Sequence, residues 1–128
     1  MPFILEKEKT ASTPYVFIDE EKRYMKIAGE SYHENIVSFF EEINLWLKKF
    51  LQTNYGELTV DCELEYFNSS TSKLLYNIFA ILDDEASKGK RITVNWITSP
   101  DNEIIVECGE DYLDEMNYIS FNIINKQL

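Results

Sequence analysis

Hydrophobic and polar residues alternate with period two in several segments of the chain, which predicts strands there. The segment "ELTVDCELEYF", Glu57 to Phe67, alternates from Glu57 to Tyr66 and is typical of a half-buried strand. Its apolar side carries Leu58, Val60, Cys62, Leu64 and Tyr66, and its polar side Thr59, Asp61, Glu63 and Glu65. "RITVNWI" alternates in the same way, and "YISFNII" is predicted to be a closing strand.

Helical patterns separate these strands. From His33 to Gln52, apolar residues recur at steps of three and four, which predicts an amphipathic helix. A second helix is predicted to follow the hydroxyl run Ser69 to Ser72, with Leu74, Leu75, Ile78, Phe79 and Leu82 on its inner face and "SKGKR" as its end. The capping residues and proline of "SPDNE" predict a third helix that runs to about Met116.

The N-terminal part, "TPYVFIDEEKRYMKIAGESY", predicts a hairpin whose turn is Asp19 to Lys22. The predicted order is therefore ββαβαβαβ, with parallel later strands and right-handed crossovers. Because the middle strands keep one polar side, helices covering both faces of the sheet would be costly. We expect an α/β two-layer sandwich with a mixed sheet, helices mainly on one face and an open acidic face.

Composition limits the possible partners and locations. The 128 residues are 45% hydrophobic and 27% charged, and no linker or repeat interrupts them, so we expect a single domain over residues 1–128. No apolar stretch is long enough to span a membrane or resembles a secretory signal, which favours a cytoplasmic protein. A formal charge of −11 disfavours binding to nucleic acid or to an anionic membrane and favours a protein partner.

Four consecutive hydroxyl side chains, in "YFNSSTSK" from Tyr66 to Lys73, lie at the predicted turn from strand to helix. One interpretation is an N-cap, in which Asn68, Ser69 or Ser70 accepts the free N–H groups of the first turn. The other is phosphorylation, because the positive end of the helix dipole and Lys73 favour an added anionic group. One cap needs only one side chain, but the sequence pattern by itself leaves both interpretations open.

Enzymatic sites have weaker support in the sequence. His33 could pair with Cys62 or Cys108 as base and nucleophile, but Cys62 is predicted to be a core residue with a raised thiol pKa. The acidic triplet Asp83 to Glu85 points in different directions around a helix, and a structural zinc site is disfavoured with one histidine and no CxxC. We therefore expect no metal, no cofactor and no catalytic residue.

Most aromatic residues occupy predicted core positions, which accounts for them without a ligand or an oligomerising role; Trp46, at the edge of its helical stripe, is ambiguous. An exposed aromatic patch near the hydroxyl turn would favour a docking surface.

Several motifs together resemble the SiaC family of bacterial regulatory phosphoproteins over nearly the whole chain. The matching segments are "TPYVFID" (Thr13 to Asp19), "GESYHEN" (Gly29 to Asn35), "LEYFNSSTSK" (Leu64 to Lys73), "VNW" (Val94 to Trp96) and "ECGEDY" (Glu107 to Tyr112). The sequence departs from the family pattern at two positions: Ser69 stands where the family usually has Thr, and His33 where it usually has Pro.

The resemblance implies a fold similar to STAS domains and a non-enzymatic signalling role as a partner-switching module. A cognate Ser/Thr kinase would phosphorylate Ser69, with Ser70 and Thr71 as alternative acceptors, and a PP2C-like phosphatase would remove the phosphate. The unphosphorylated form would bind and activate a diguanylate cyclase and so adjust cyclic di-GMP and biofilm behaviour. An anti-sigma-factor antagonist that acts through an anti-sigma kinase is the alternative. The partner-binding residues implied in this way are Gly29, Glu30, Ser31, Tyr32, Glu34, Asn35, Asn68, Ser70, Thr71 and Lys73.

Overall fold

A computed structural model describes residues 3–53 and 55–126, which form one mixed sheet and a layer of helices. The strands are β1 (Ile4–Lys7), β2 (Tyr15–Asp19), β3 (Tyr24–Ser31), β4 (Glu57–Phe67), β5 (Arg91–Thr98) and β6 (Ser120–Asn125). The helices are α1 (Ile36–Leu51), α2 (Ser69–Ser87) and α3 (Glu103–Glu115). These elements confirm the predicted α/β class.

The strands lie in the sheet in the same order as in the chain. β1, β2 and β3 pair antiparallel, whereas β3 to β6 pair parallel. Each parallel crossover carries one helix and moves one strand further in the same direction. Right-handed crossovers of this kind place all their helices on one face of the sheet. The predicted two-layer sandwich with helices on one face is therefore confirmed.

Strand β4 shows how the alternating pattern becomes a buried and an open face. Val60, Cys62 and Leu64 are at most 2% exposed beneath the helices. Asp61 and Glu63 on the other face keep partial contact with solvent. The hydroxyl of Tyr24 donates a 2.7 Å hydrogen bond to Asp61, as expected for a polar sheet face without helices.

Two elements differ from the sequence-based prediction. Strand β1 was not predicted, because a charged segment gives a weak strand signal, but an edge strand tolerates such residues since one side of it meets water. Helix α1 begins at Ile36 and not at His33. The residues between them form a turn in which the Asn35 N–H donates to His33 Nδ1 at 3.0 Å and the Ile36 N–H donates to the His33 carbonyl at 3.1 Å.

Aromatic side chains form much of the core between the sheet and the helices. Trp96 and Phe79 are each 1% exposed and meet edge to face. Trp46, which the sequence pattern left ambiguous, is only 5% exposed and stacks on Phe50 with ring centroids 5.0 Å apart. Packing thus accounts for Trp46, as it does for most aromatic residues of the chain.

Candidate functional site

The parallel pairing of β3 with β4 brings the two most specific sequence motifs together. Glu30 lies opposite Tyr66 and Ser31 opposite Phe67, so "GESYHEN" and "YFNSSTSK" both leave the sheet at the carboxyl ends of the parallel strands. Gly29 pairs with Leu64 and Glu30 with Tyr66, so the pairing skips Glu65 and β4 contains a β-bulge at that residue. Gly29, in β3 opposite the bulge, has a φ of +106°, a conformation that residues with a Cβ rarely adopt, so this position favours glycine.

The first turn of α2 is capped by a single side chain. Asn68 has extended backbone, and its side-chain oxygen accepts a 2.9 Å hydrogen bond from the Thr71 N–H. Its own N–H donates to the Ser31 carbonyl at 3.1 Å, which fixes the turn against the end of β3. Of the three cap candidates that the sequence offered, Asn68 is therefore the cap, and neither Ser69 nor Ser70 is needed for it.

The four hydroxyls of the turn have different surroundings. Thr71 is fully buried, and its hydroxyl donates to the Ser31 carbonyl at 2.9 Å. Ser72 is partly buried, with its hydroxyl 3.1 Å from that of Tyr112. Ser69 and Ser70, in contrast, are exposed. The geometry therefore leaves Ser69 and Ser70 as the two hydroxyls of the run that an enzyme can reach without opening the fold.

The electrostatic setting of Ser69 favours an added negative charge. The N–H groups at the start of a helix lack intrahelical acceptors and carry the positive end of the helix dipole. The first turn of α2 contains no acidic residue. Lys73 is exposed and follows Ser69 by four positions, which places both side chains on the same side of the helix.

The "GESYHEN" segment forms a braced loop beside this turn. The Ser12 carbonyl accepts hydrogen bonds from the backbone N–H groups of Tyr32 at 2.9 Å and His33 at 3.0 Å. Because the His33 imidazole accepts the Asn35 N–H, this residue forms a compact turn at the position where the family pattern has Pro. Glu34 and Asn35 are exposed next to it.

An exposed aromatic pair lies at the same carboxyl ends of β3 and β4. Tyr32 is 39% exposed and Tyr66 52% exposed, and their ring centroids are 5.5 Å apart in an edge-to-face arrangement. The strand pattern placed Tyr66 on the buried side, which is wrong. The bulge at Glu65 of β4 reverses the alternation, so that Phe67 points inward and meets the ring of Trp96. A glycine inside the β3 pattern was the available signal for such a bulge.

The remaining motif residues support the turn from behind. The Tyr112 hydroxyl donates to the Ser72 carbonyl at 3.0 Å, and the Trp96 indole N–H donates to the Ile105 carbonyl at 2.8 Å. At Gly109, an added Cβ would lie 2.4 Å from Trp96 Cδ1. "VNW" and "ECGEDY" therefore hold α3 against the sheet and against α2.

The cysteines and acidic residues considered for catalysis or metal binding are accounted for by burial, hydrogen bonds and ion pairs. Cys62 lies under the helices, and burial raises the pKa of its thiol; burial also raises the pKa of the half-buried Cys108. The Asp83 carboxylate accepts the backbone N–H groups of residues 117–119, and Lys88 pairs with Asp84 and Glu85. Within residues 3–53 and 55–126, no group of three His, Cys, Asp or Glu side chains could hold a metal ion, and no helix has the length and apolar character to cross a membrane.

Comparison with known proteins gives concordant matches. Residues 7–126 match the model of the SiaC family regulatory phosphoproteins. An uncharacterized protein of Pseudomonas aeruginosa (strain UCBPP-PA14) is 27% identical over 109 residues, which cover 85% of this chain and 86% of that protein.

Two crystal structures from Pseudomonas aeruginosa are similar in fold as well. The structure of apo-SiaC is 25% identical with a TM-score of 0.89, over 95% of this chain and 98% of that one. A chain from the complex of the diguanylate cyclase SiaD with its activator SiaC is 26% identical with a TM-score of 0.90, over 95% of this chain and 99% of that one.

Proposed function

The chain belongs to the SiaC family of regulatory phosphoproteins, and we propose that it is a partner-switching protein whose unphosphorylated form binds and activates a diguanylate cyclase. In this proposal a cognate Ser/Thr kinase modifies Ser69 and a PP2C-like phosphatase reverses the modification. The protein itself has no catalytic role and acts by adjusting cyclic di-GMP and hence biofilm behaviour. The related SiaC of Pseudomonas aeruginosa, which activates the cyclase SiaD, supports the choice of target.

One observation carries the proposal: Ser69 is exposed and free of the capping role at a helix start that favours an anion. Asn68 supplies the cap. Thr71 is buried, and its hydroxyl donates a hydrogen bond to the Ser31 carbonyl. Thr71 is therefore the least suitable of the three acceptor candidates. Ser69 is favoured over Ser70 because it directly follows the capping Asn and shares a helix side with Lys73.

The exposed pair Tyr32 and Tyr66 supports a docking surface at the same turn. Tyrosine side chains contribute strongly to protein interfaces, since they bury large apolar area and keep a polar end. The same two segments carry polar groups that contact solvent, as at the rim of many interfaces: Glu30, Glu34, Asn35 and Lys73.

The magnitude of the phosphate charge indicates how the switch works. A phosphoryl group adds about −1.5 to −2 charges, and its interaction with a helix N-terminus stabilises by only about 0.3 to 2 kcal/mol. That energy is too small to refold the domain. Burying the same charge in an interface that fits a neutral hydroxyl costs several kcal/mol. Phosphorylation therefore leaves the fold intact and blocks target binding at the Ser69 turn.

The test begins by purifying the Ser69→Ala protein from its native host together with whatever binds it. Recovery of a diguanylate cyclase is the expected result, and recovery of an anti-sigma kinase alone would contradict the proposed target. Affinity for the recovered cyclase and thermal stability are then measured for wild type, Ser69→Ala, Ser69→Asp and kinase-treated protein.

We expect unchanged stability and an affinity loss of about tenfold or more, which is at least about 1.4 kcal/mol, after phosphorylation. Ser70→Ala is the matched control: its extent of phosphorylation, and the factor by which phosphorylation lowers its affinity, should equal those of wild type. Equal affinity before and after stoichiometric modification of Ser69 would overturn the switch. Modification found on Ser70 or Thr71 alone would overturn the assignment of the acceptor.

A further inference from the structure

The two edge strands of the sheet differ in how many charged residues they contain. Edge strand β1 contains Glu6 and Lys7 and is followed by two more charged residues. The opposite edge, β6, lies within residues 116–125, which contain no charged residue, although 27% of the chain is charged. No strand pairs with the outer side of β6 in the described part of the chain. Proteins usually protect such edges with charges, prolines or bulges, because the free backbone groups can pair with another strand.

We propose that β6 pairs antiparallel with β6 of a second copy of this chain, around a two-fold axis at Asn122, and joins the two sheets into one. This interface lies apart from the Ser69 turn and does not depend on the proposed switch.

The side chains of β6 fit this register. Phe121 and Ile123 lie on the helix-covered face, whereas Ser120, Asn122 and Ile124 lie on the open face. Residues directly opposite each other in an antiparallel pair share a face. An axis at Asn122 places Phe121 opposite Ile123 of the second copy, and Ser120 opposite Ile124. A register shifted by one residue would place apolar side chains of one face opposite polar side chains of the other.

The backbone of β6 fits the same register. The Lys126 N–H donates to the Thr98 carbonyl at 2.7 Å, so the even-numbered residues of this segment turn their backbone groups toward β5. Since successive residues alternate, Phe121 and Ile123 turn theirs outward. These are the two residues that the axis at Asn122 places opposite each other, so each pair can exchange two N–H to carbonyl hydrogen bonds.

Charge and size predict that a dimer formed in this way is weak. Two chains of charge −11 repel each other, but the strands that would meet are neutral. Two six-residue strands bury less than the roughly 1,200 Å² of stable complexes, so association should depend on concentration. Salt screens the repulsion and leaves backbone pairing intact, so the dimer should strengthen as salt increases.

Sedimentation of the full chain, from about 10 µM to about 1 mM at low and high salt, tests the pairing. We expect a monomer–dimer equilibrium that Asn122→Asp and Asn122→Lys each weaken by about tenfold or more, because like charges then meet at the axis. An equimolar mixture of the two variants should recover association. Asn77→Asp adds the same charge on helix α2 and should leave the equilibrium unchanged.

Three results would overturn the proposal. The first is a wild type that remains monomeric at the highest concentration and salt. The second is a dimer that Asn122→Asp does not weaken while the variant remains folded by circular dichroism. The third is a mixture of the two charged variants that associates no better than either variant alone, which would exclude the axis at Asn122.

Discussion

The hydroxyl oxygen of Thr71 lies 2.9 Å from both the carbonyl and the hydroxyl oxygen of Ser31, forty residues earlier in the chain. Both residues are completely buried. This contact ties the first turn of α2 to the end of β3, and so fixes the position of the exposed Ser69 relative to the loop that carries Tyr32.

The Thr71 contact predicts the effect of removing one hydroxyl. Thr71→Val keeps the shape of the side chain but leaves the buried oxygens of Ser31 without this partner. The free energy of unfolding, measured by urea denaturation, should fall by about 1 to 3 kcal/mol. Ser70→Ala, one position earlier and exposed, should change it by less than about 0.5 kcal/mol. A Thr71→Val protein as stable as wild type would show that the contact is energetically unimportant.

The aromatic pair predicts a separation of binding from stability. Tyr66→Ser removes an exposed ring from the proposed docking surface, so it should lower affinity for the proposed diguanylate cyclase partner by about tenfold or more, as removal of an interface aromatic does. The free energy of unfolding should fall only by about 0.5 to 1.5 kcal/mol, from the lost contact with Tyr32. Tyr118, which is 64% exposed elsewhere, provides the control Tyr118→Ser. Equal losses of affinity in the two variants would argue against a specific surface.

At Gly109, we expect substitution by alanine to destabilise the protein, although alanine has the higher helix propensity. Glycine to alanine inside a helix ordinarily stabilises by about 1 kcal/mol. Here the new Cβ would lie 2.4 Å from Trp96, whose indole is held by its hydrogen bond to Ile105. We expect Gly109→Ala to destabilise by about 1 to 3 kcal/mol in thermal or urea unfolding. Ser38→Ala, on the exposed side of α1, should instead be neutral or slightly stabilising.

The tyrosines predict a loss of stability at high pH. Burial raises the pKa of Tyr112 to about 12, above the value of about 10 in an unfolded chain. Below pH 10 both states hold the proton, and the full stabilisation is present. Between about pH 10 and pH 12 the unfolded state releases the proton first, so the free energy of unfolding falls as pH rises. Burial also raises the pKa of Tyr24 and of Tyr55, in the same direction.

Urea unfolding at several pH values between 9 and 12 measures how steeply the free energy of unfolding falls with pH. Tyr112→Phe should make this slope shallower, because one of the contributing groups is gone. Tyr112→Phe also loses the hydrogen bond to Ser72, so its stability should be lower than that of wild type at neutral pH. An identical slope in the variant would show that Tyr112 does not contribute to the alkaline transition.

Local pattern predicted the elements whose two sides differ strongly. The alternation in β4 placed Val60, Cys62 and Leu64 in the core, and the structure confirms it, because burial of one strand face selects apolar residues at every second position. The same rule failed at Tyr66. A bulge depends on how β3 pairs with β4, and that pairing is not encoded within either segment alone.

The sequence by itself determined the order of the helices and later strands, the open acidic face and the position of the hydroxyl run at a strand-to-helix turn. These follow from periodicity and from capping chemistry, which act over a few neighbouring residues. The tertiary structure alone distinguished the four hydroxyls from one another, since burial of Thr71 and exposure of Ser69 depend on Ser31 and on the helix packed behind them. Segments distant in the chain meet only when the sheet forms, so their contacts leave no local periodic signal.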